Sequence, residues 1–225
     1  MKPFLTKKEF TGDDWQDEDF PAKPAILTTN PQRMHKFTKI VFNRISDVAP
    51  PEGFPIIFNT NKPGAVKPGM FNNYNLLSAM NVLTEKQIIL PGIFPDFNEY
   101  SSILFALWLN DCGVWKSIII DDYFPWDKER GHWAASTTNG EFETWVMILE
   151  KCFAKLYGSY EALESGHPAH FLHDMTGAPY EYFYFEDTEV EECWQFLLGL
   201  DRTNYLTIAV TKDPKAKIEN ENDIN

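Results

Sequence analysis

Cysteine is scarce in this sequence: Cys112, Cys152 and Cys193 are the three among 225 residues. The odd number and wide spacing read as reduced thiols, not as a disulfide framework. Basic residues are also in deficit, with 20 Lys and Arg against 33 Asp and Glu and a net charge of -13. A protein that tracks phosphates needs a basic face, so nucleic acid is not an expected partner. An anionic membrane surface is disfavoured for the same reason. No apolar run reaches the roughly 20 residues of a spanning helix, so membrane insertion is not expected. Residues 1–10 carry Lys2, Lys7 and Lys8 without the apolar stretch of a signal peptide. GxSxG, P-loop and GxGxxG motifs are missing, and there is no internal repeat. Together these absences point to a soluble cytoplasmic chain with no cofactor implied.

What is present is ordinary in amount and rich in rings. Hydrophobic residues make up 44% and charged residues 24%, which excludes wholesale disorder. The 18 Phe, 9 Tyr and 7 Trp can fill a substantial core. Residues 1–34 are polar and acidic, with Asp13, Asp14, Asp17, Glu18 and Asp19 around Trp15. They read as an extended arm that docks by Trp15 and Phe20. Residues 37–68 are broken by prolines into loops and short strands.

A helical pattern begins near Asn73, with Tyr74, Leu77, Ala79, Met80 and Leu83 on one face and Asn72 or Asn73 as the cap. Residues 102–109 and 114–120 read as two strands joined by a turn through Asn110, Asp111 and Gly113. The clearest helix covers 141–156, its stripe formed by Trp145, Ile148, Leu149, Cys152, Phe153 and Leu156, with Gly158 as its C-cap. Tyr160 begins a short further turn. Residues 189–200 predict a third helix that buries Trp194, Leu197 and Leu198, and 205–210 predict a strand. The tail, 213–225, is charged and Asn-rich and reads as disordered.

Candidate chemistry is sparse. His167, His170 and His173 are spaced by three, with Asp174 beside them; a metal would need their imidazoles to converge. The alternative is a polar loop that happens to hold three histidines, because Pro168 disfavours helix ahead of it. Asp121 and Asp122 suggest a hard cation, but adjacent strand residues face opposite ways. The plainer reading is carboxylates capping backbone N–H groups at a strand end. Cys152 lies on an apolar stripe, Cys193 sits among acids that oppose thiolate formation, and Cys112 is in a turn without a base nearby. None makes a good nucleophile.

Residues 113–163 resemble the first protease subdomain of calpains, the calcium-dependent papain-like cysteine proteases. The resemblance is carried by Gly113 and Trp115, the apolar run before Asp121 and Asp122, then Pro125, Ser136, Glu143 and Trp145. It continues through Leu149, Glu150, Lys151, Ala154, Lys155, Gly158, Tyr160, Glu161, Ala162 and Leu163, and then Asp174, Thr176 and Gly177. Asp19, Phe20, Pro21 and Ala22 match the family's segment ahead of the core, and 43–48 fall where the family has a further motif. The likeness covers roughly 15–210. It implies an α+β fold: the helical first subdomain of the papain-like core at 35–177, preceded by the arm at 1–34. The start of the second subdomain follows at 178–212, and then the tail.

The family's catalytic segment aligns with 68–77, and here the sequence departs. Tyr74 stands at the nucleophile cysteine and Pro68 at the glutamine that donates to the oxyanion. A phenol, with a pKa of about 10, is a poor substitute for a thiolate at neutral pH. Proline has no donor at all, and losing one such donor costs about 10² to 10³ in rate. The family's His and Asn, from its second subdomain, have no counterpart here. Of its first calcium site Glu143 is kept, but Ala65 replaces the Asp, so neither metal nor calcium activation is expected. Glu150, Lys151 and Lys155 are expected on the outer face of their helix, with Trp115, Trp145, Leu149 and Phe153 in the core.

The expectation is therefore a pseudoprotease that is not an enzyme. It would bind proteins or serve as a structural module through the arm residues Trp15 and Phe20 and the former cleft residues Asn72, Asn73 and Asn75. Calpain-like domains recur in large cytoskeletal and ciliary proteins, which suggests that setting. The alternatives are a part of a calpain-type endopeptidase whose His and Asn lie elsewhere, or a decoy regulator of active calpains.

Overall fold

The longest apolar helix organises the molecule. In the computed structural model, residues 15–48, 57, 63–85, 92–94, 105–139, 143–186 and 188–210 are described. The chain forms two compact units divided between Tyr182 and Phe183. The first holds α1 (Ile45–Val48), α2 (Tyr74–Leu83), α3 (Trp145–Tyr157), α4 (Pro168–Thr176) and three small antiparallel sheets. The second holds α5 (Val190–Arg202). This is an α+β architecture.

From Trp145 to Ala154 every residue of α3 is buried, Glu150 and Lys151 included. A helix that is apolar all round is enclosed on all sides, and only two charges interrupt this run. They are therefore not an outer-face ladder, as the spacing suggested; each is bonded inside the protein. Lys155, further along, donates to both carboxylate oxygens of Asp17, at 2.8 and 2.7 Å. Gly158 ends the helix at φ +97, as expected.

β1 (Ile40–Arg44) pairs with β5 (Tyr123–Asp127), which pairs with β6 (His132–Trp133). Residues 123–127 carry no strand signal of their own, because Pro125 interrupts the pattern. Pairing with β1 decides it. β2 (Val66–Lys67) pairs with β7 (Thr137–Thr138). β3 (Phe105–Asp111) and β4 (Val114–Ile120) form the expected hairpin. Its two-residue turn places Cys112 at φ +51 and Gly113 at φ +86, the left-handed pair that matches strand twist. The Asn110 side chain accepts from the Gly113 N–H at 2.8 Å.

Alternation buries Leu107, Leu109, Ile118 and Ile120 on one face of this hairpin. Trp115, opposite Asn110 on the other face, is 46% exposed. It is thus not core as expected; its register, not its hydrophobicity, sets its face. Trp145, Leu149 and Phe153 are core.

The arm also differs in its anchor. Phe20 is buried and lies 6.4 Å from the Tyr160 ring, while Trp15 is half-buried. Asp17 does more: its backbone N–H donates to Asp121 and its carboxylate receives Lys155, Asp19 N–H and Phe20 N–H. Asp121 and Asp122 are both fully buried. Asp121 accepts backbone N–H groups from Asp17 and Tyr123, the capping role anticipated for it, and also the Lys151 amine. Asp122 accepts from Arg44 at 2.7 Å.

In the second unit, α5 begins and ends close to expectation but buries nothing. Trp194 is 55% exposed and Leu197 38%, and Leu198 is half-buried. The apolar stripe meets Phe183, which stacks on Phe196 at 4.2 Å. Residues 205–210 form no strand, because among the described residues no strand pairs with them. Asp13, Asp14, residues 102–104, Glu141 and the tail 213–225 lie outside the described residues. Among those described, no helix is long and apolar enough to cross a membrane.

Candidate functional site

The site expected at 68–77 is built where a loop is pressed against the core and turns into α2. Gly69 makes this approach possible: a Cβ there would lie 2.2 Å from the Ala134 carbonyl oxygen. Met70 N–H donates to that oxygen at 2.8 Å, and Gly69 N–H donates to Ser136 Oγ at 3.2 Å. Phe71 is buried and stacks on Tyr160 at 4.7 Å. The next two residues then bring the chain to the helix.

Asn73 is the N-cap position of α2, as expected, but its side chain does not cap. It turns inward, fully buried, and donates to Glu150 Oε1 at 2.6 Å. The same carboxylate accepts Ser136 N–H at 2.9 Å and the Ser136 hydroxyl at 2.5 Å. One carboxylate on α3 thus joins the loop before β7 to the start of α2. Burial pushes the Glu150 carboxyl up, while the Ser136 and Asn73 hydrogen bonds pull it down; burial prevails.

This frame sets the direction of residue 74. Tyr74 is the first residue of α2 and is 60% exposed. Its place on the buried face is taken by Leu76, which with Leu77, Ala79, Met80 and Leu83 lines the core. Asn72 is exposed, and Asn75, half-buried, donates to the Gly166 carbonyl at 2.8 Å. Pro68 is exposed ahead of the turn. Pro68, Asn72, Tyr74 and Asn75 are therefore gathered around the helix N-terminus. Asn73 and Phe20 face the interior and offer nothing to a partner.

At the other end of β2, Glu143 accepts Gly64 N–H at 2.7 Å, and the Ala65 carbonyl accepts Asn139 N–H at 2.9 Å. Calcium takes six to eight oxygen ligands. The methyl of Ala65 supplies none, and among the described residues no group of three or more His, Cys, Asp or Glu is placed to hold a metal ion.

The histidine triplet does not form a loop. Pro168 opens α4 at its first turn, where its missing N–H costs nothing, so His170 and His173 are helical. Each imidazole already has a local partner. His167 Nδ1 accepts Ala169 N–H, His170 Nε2 meets the Tyr182 hydroxyl at 2.8 Å, and His173 Nδ1 meets the Ala178 carbonyl at 2.7 Å.

The thiols separate by burial. Cys112 is exposed and Cys193 half-buried, its Sγ 3.7 Å from the Thr188 carbonyl. Cys152 is fully buried, and that burial pushes its thiol up. Cys112 is therefore expected to react with a thiol reagent in the folded protein, and Cys152 only after unfolding. Peptide mapping after alkylation with and without urea checks this; native labelling of Cys152 would contradict it.

The Asn73–Glu150–Ser136 bridge was missed by sequence reasoning. Its signal was a Glu-Lys pair inside an otherwise apolar helical run, which marks buried, bonded charges.

Comparison with known proteins places this frame. The profile of the calpain family cysteine proteases matches residues 15–224. Calpain-type cysteine protease ADL1 of Oryza sativa subsp. japonica is 33% identical over 171 residues, covering 73% of this chain and 8% of that protein. Calpain-5 of Caenorhabditis elegans is 30% identical over 174 residues, covering 70% and 26%. Calpain-B of Drosophila melanogaster is 27% identical over 208 residues, covering 90% and 22%. The chain thus spans about a quarter or less of these relatives' lengths. The reading from Tyr74 and Pro68 that the chain is not an enzyme is overturned: the relatives are named as cysteine proteases or calpains, and the family is enzymatic. That reading rested on Tyr74, Pro68 and the missing His and Asn of the second subdomain, whereas the family match runs through residues 15–224.

Proposed function

This chain belongs to the calpain family of cysteine proteases, and from that premise we propose that it binds an extended polypeptide on the face where α2 begins. In this reading 35–177 are the helical first subdomain of the protease core and 178–212 the start of the second. Its setting is a cytoskeletal or ciliary assembly. The observation that carries the proposal is Tyr74, a tyrosine 60% exposed on a rigid helix start fixed by a fully buried carboxylate. Exposed aromatics on rigid elements are the usual anchors of protein interfaces.

Fluorescence anisotropy with labelled extended peptides, drawn from proteins that cross-link to the native chain, tests it. Tyr74→Ala is expected to weaken binding by about five- to thirtyfold with an unchanged circular dichroism spectrum. Equal binding by the variant would overturn the proposal.

A second reading is favoured by the family itself: these residues form part of a calpain-type endopeptidase whose His and Asn come from another segment. Casein cleavage by the full-length native protein, lost when that segment is removed, would support it.

A further inference from the structure

The three histidines remain to be explained, and His167 differs from the other two. It is the N-cap of α4, with φ -112 and ψ 136, and its Nδ1 accepts Ala169 N–H at 3.2 Å. A backbone N–H can only donate, so this contact requires Nδ1 to be unprotonated. Caps are ordinarily Ser, Thr, Asp or Asn, which accept at any pH near neutrality. An imidazole accepts only while neutral. A proton on Nδ1 would set donor against donor, and would put a positive charge at the positive end of the helix.

The surroundings favour that sensitivity. His167 contacts His170, ring centroids 5.7 Å apart, and Tyr182 at 4.8 Å. α2, packed against α4, carries no charged side chain. The carboxylates near α4 include Asp174 of its last turn, bonded to Tyr157 of α3, Asp111 of β3, and Glu181, between the two tyrosines whose rings meet the histidines. Glu161 and Glu164, on the turn before, are held by Arg33. Among the described residues, no carboxylate is bonded to the His167 ring. Burial first, and His170 second, hold its pKa below the ordinary histidine value.

We propose that His167 is a proton-sensitive cap whose neutral imidazole holds the first turn of α4, and whose protonation releases that turn together with its link to α2. The link is short. Gly166, the residue before the cap, accepts from Asn75, which is next to Tyr74. Its α-carbon packs so closely under the Phe171 ring that a Cβ would lie 2.7 Å from it. Loosening the turn therefore loosens the support of the α2 face. The effect on peptide binding rests on the reading of that face as the binding surface; the cap itself does not.

The sign follows from proton linkage. The unfolded chain binds this proton more readily than the fold does. The contribution of the cap is complete above the ordinary value of about 6.5 and is lost as pH falls through the lower value in the fold.

Hydrogen exchange on the full chain, expressed as protection factors at about pH 7.5 and about pH 5, reads the cap directly. Protection of the Ala169, His170 and Phe171 amides is expected to fall about three- to thirtyfold at the lower pH, with α3 unchanged. His167→Asp, a cap that stays ionised over this range, is expected to abolish that fall. His170→Gln should retain it. Equal protection at both pH values in the native chain, or the same fall in His167→Asp, would overturn the proposal. Peptide anisotropy at the two pH values, in native and His167→Asp proteins, then separates the two ideas. A cap that responds while binding does not would sink only the link to the α2 face.

Discussion

Lys151→Ala is expected to destabilise the protein by about 3–5 kcal/mol, the range for breaking a buried ion pair by removing one partner. The Lys151 amine is fully buried. It donates to the Asp121 carboxylate, to the Asp121 carbonyl at 3.1 Å and to the Tyr123 carbonyl at 2.7 Å. Alanine would leave a buried carboxylate facing two carbonyl oxygens across a cavity. Asp121 also receives the N–H of Asp17, so the arm should loosen together with the ion pair. Against a total stability of about 5–15 kcal/mol, the loss would bring the protein close to unfolding. Urea titration of native and variant chains measures it. A change under about 1 kcal/mol, the value for an exposed pair, would show that the amine is not buried as described.

Glu150→Ala is the second large effect. Three donors, Ser136 N–H, the Ser136 hydroxyl and the Asn73 amide, would lose their acceptor inside the protein. Each unsatisfied buried group costs about 1–3 kcal/mol. Glu150→Gln should be milder. Asn73 Oδ1 is buried without a partner, and a flipped Asn73 amide would accept from the new glutamine nitrogen. The pH dependence separates the variants further. Burial raises the Glu150 carboxyl, so the fold holds this proton more tightly than the unfolded chain does. Its contribution is greatest below the ordinary glutamate value, about 4.3, and falls as pH rises through the value in the fold. Glu150→Gln should lack that decline. Because the bridge fixes the start of α2, Glu150→Ala should also weaken peptide binding at Tyr74. Urea midpoints at a series of pH values check the first point, and anisotropy in variants that remain folded checks the second. A pH profile shared by native and Gln proteins would remove Glu150 as its source.

Much of this was open to reading from the chain. Gly158 announced the end of α3, the apolar stripe announced α3 itself, and Asn110 with Gly113 announced a hairpin turn. Each is a local signal, set by backbone conformation or by periodicity within one element. The run of motifs at 113–163 likewise carried the family. The candidate site was located by alignment at 68–77, and Tyr74 does sit at the start of a helix.

What the sequence determined, then, was where the longer helices and the hairpin lie and to which family the chain belongs, because propensity, capping and motif spacing act over a few neighbours; pairing in space decided the strand at 123–127 and, among the described residues, the absence of one at 205–210. Tertiary structure alone decided which side of each segment is inside. Trp115 faces out because β3 fixes its register. Glu150 and Lys151 face in because Asn73, Ser136 and Asp121, distant in sequence, supply the hydrogen bonds that make buried charge tolerable. Such partners are matched in space, and no window along the chain contains them.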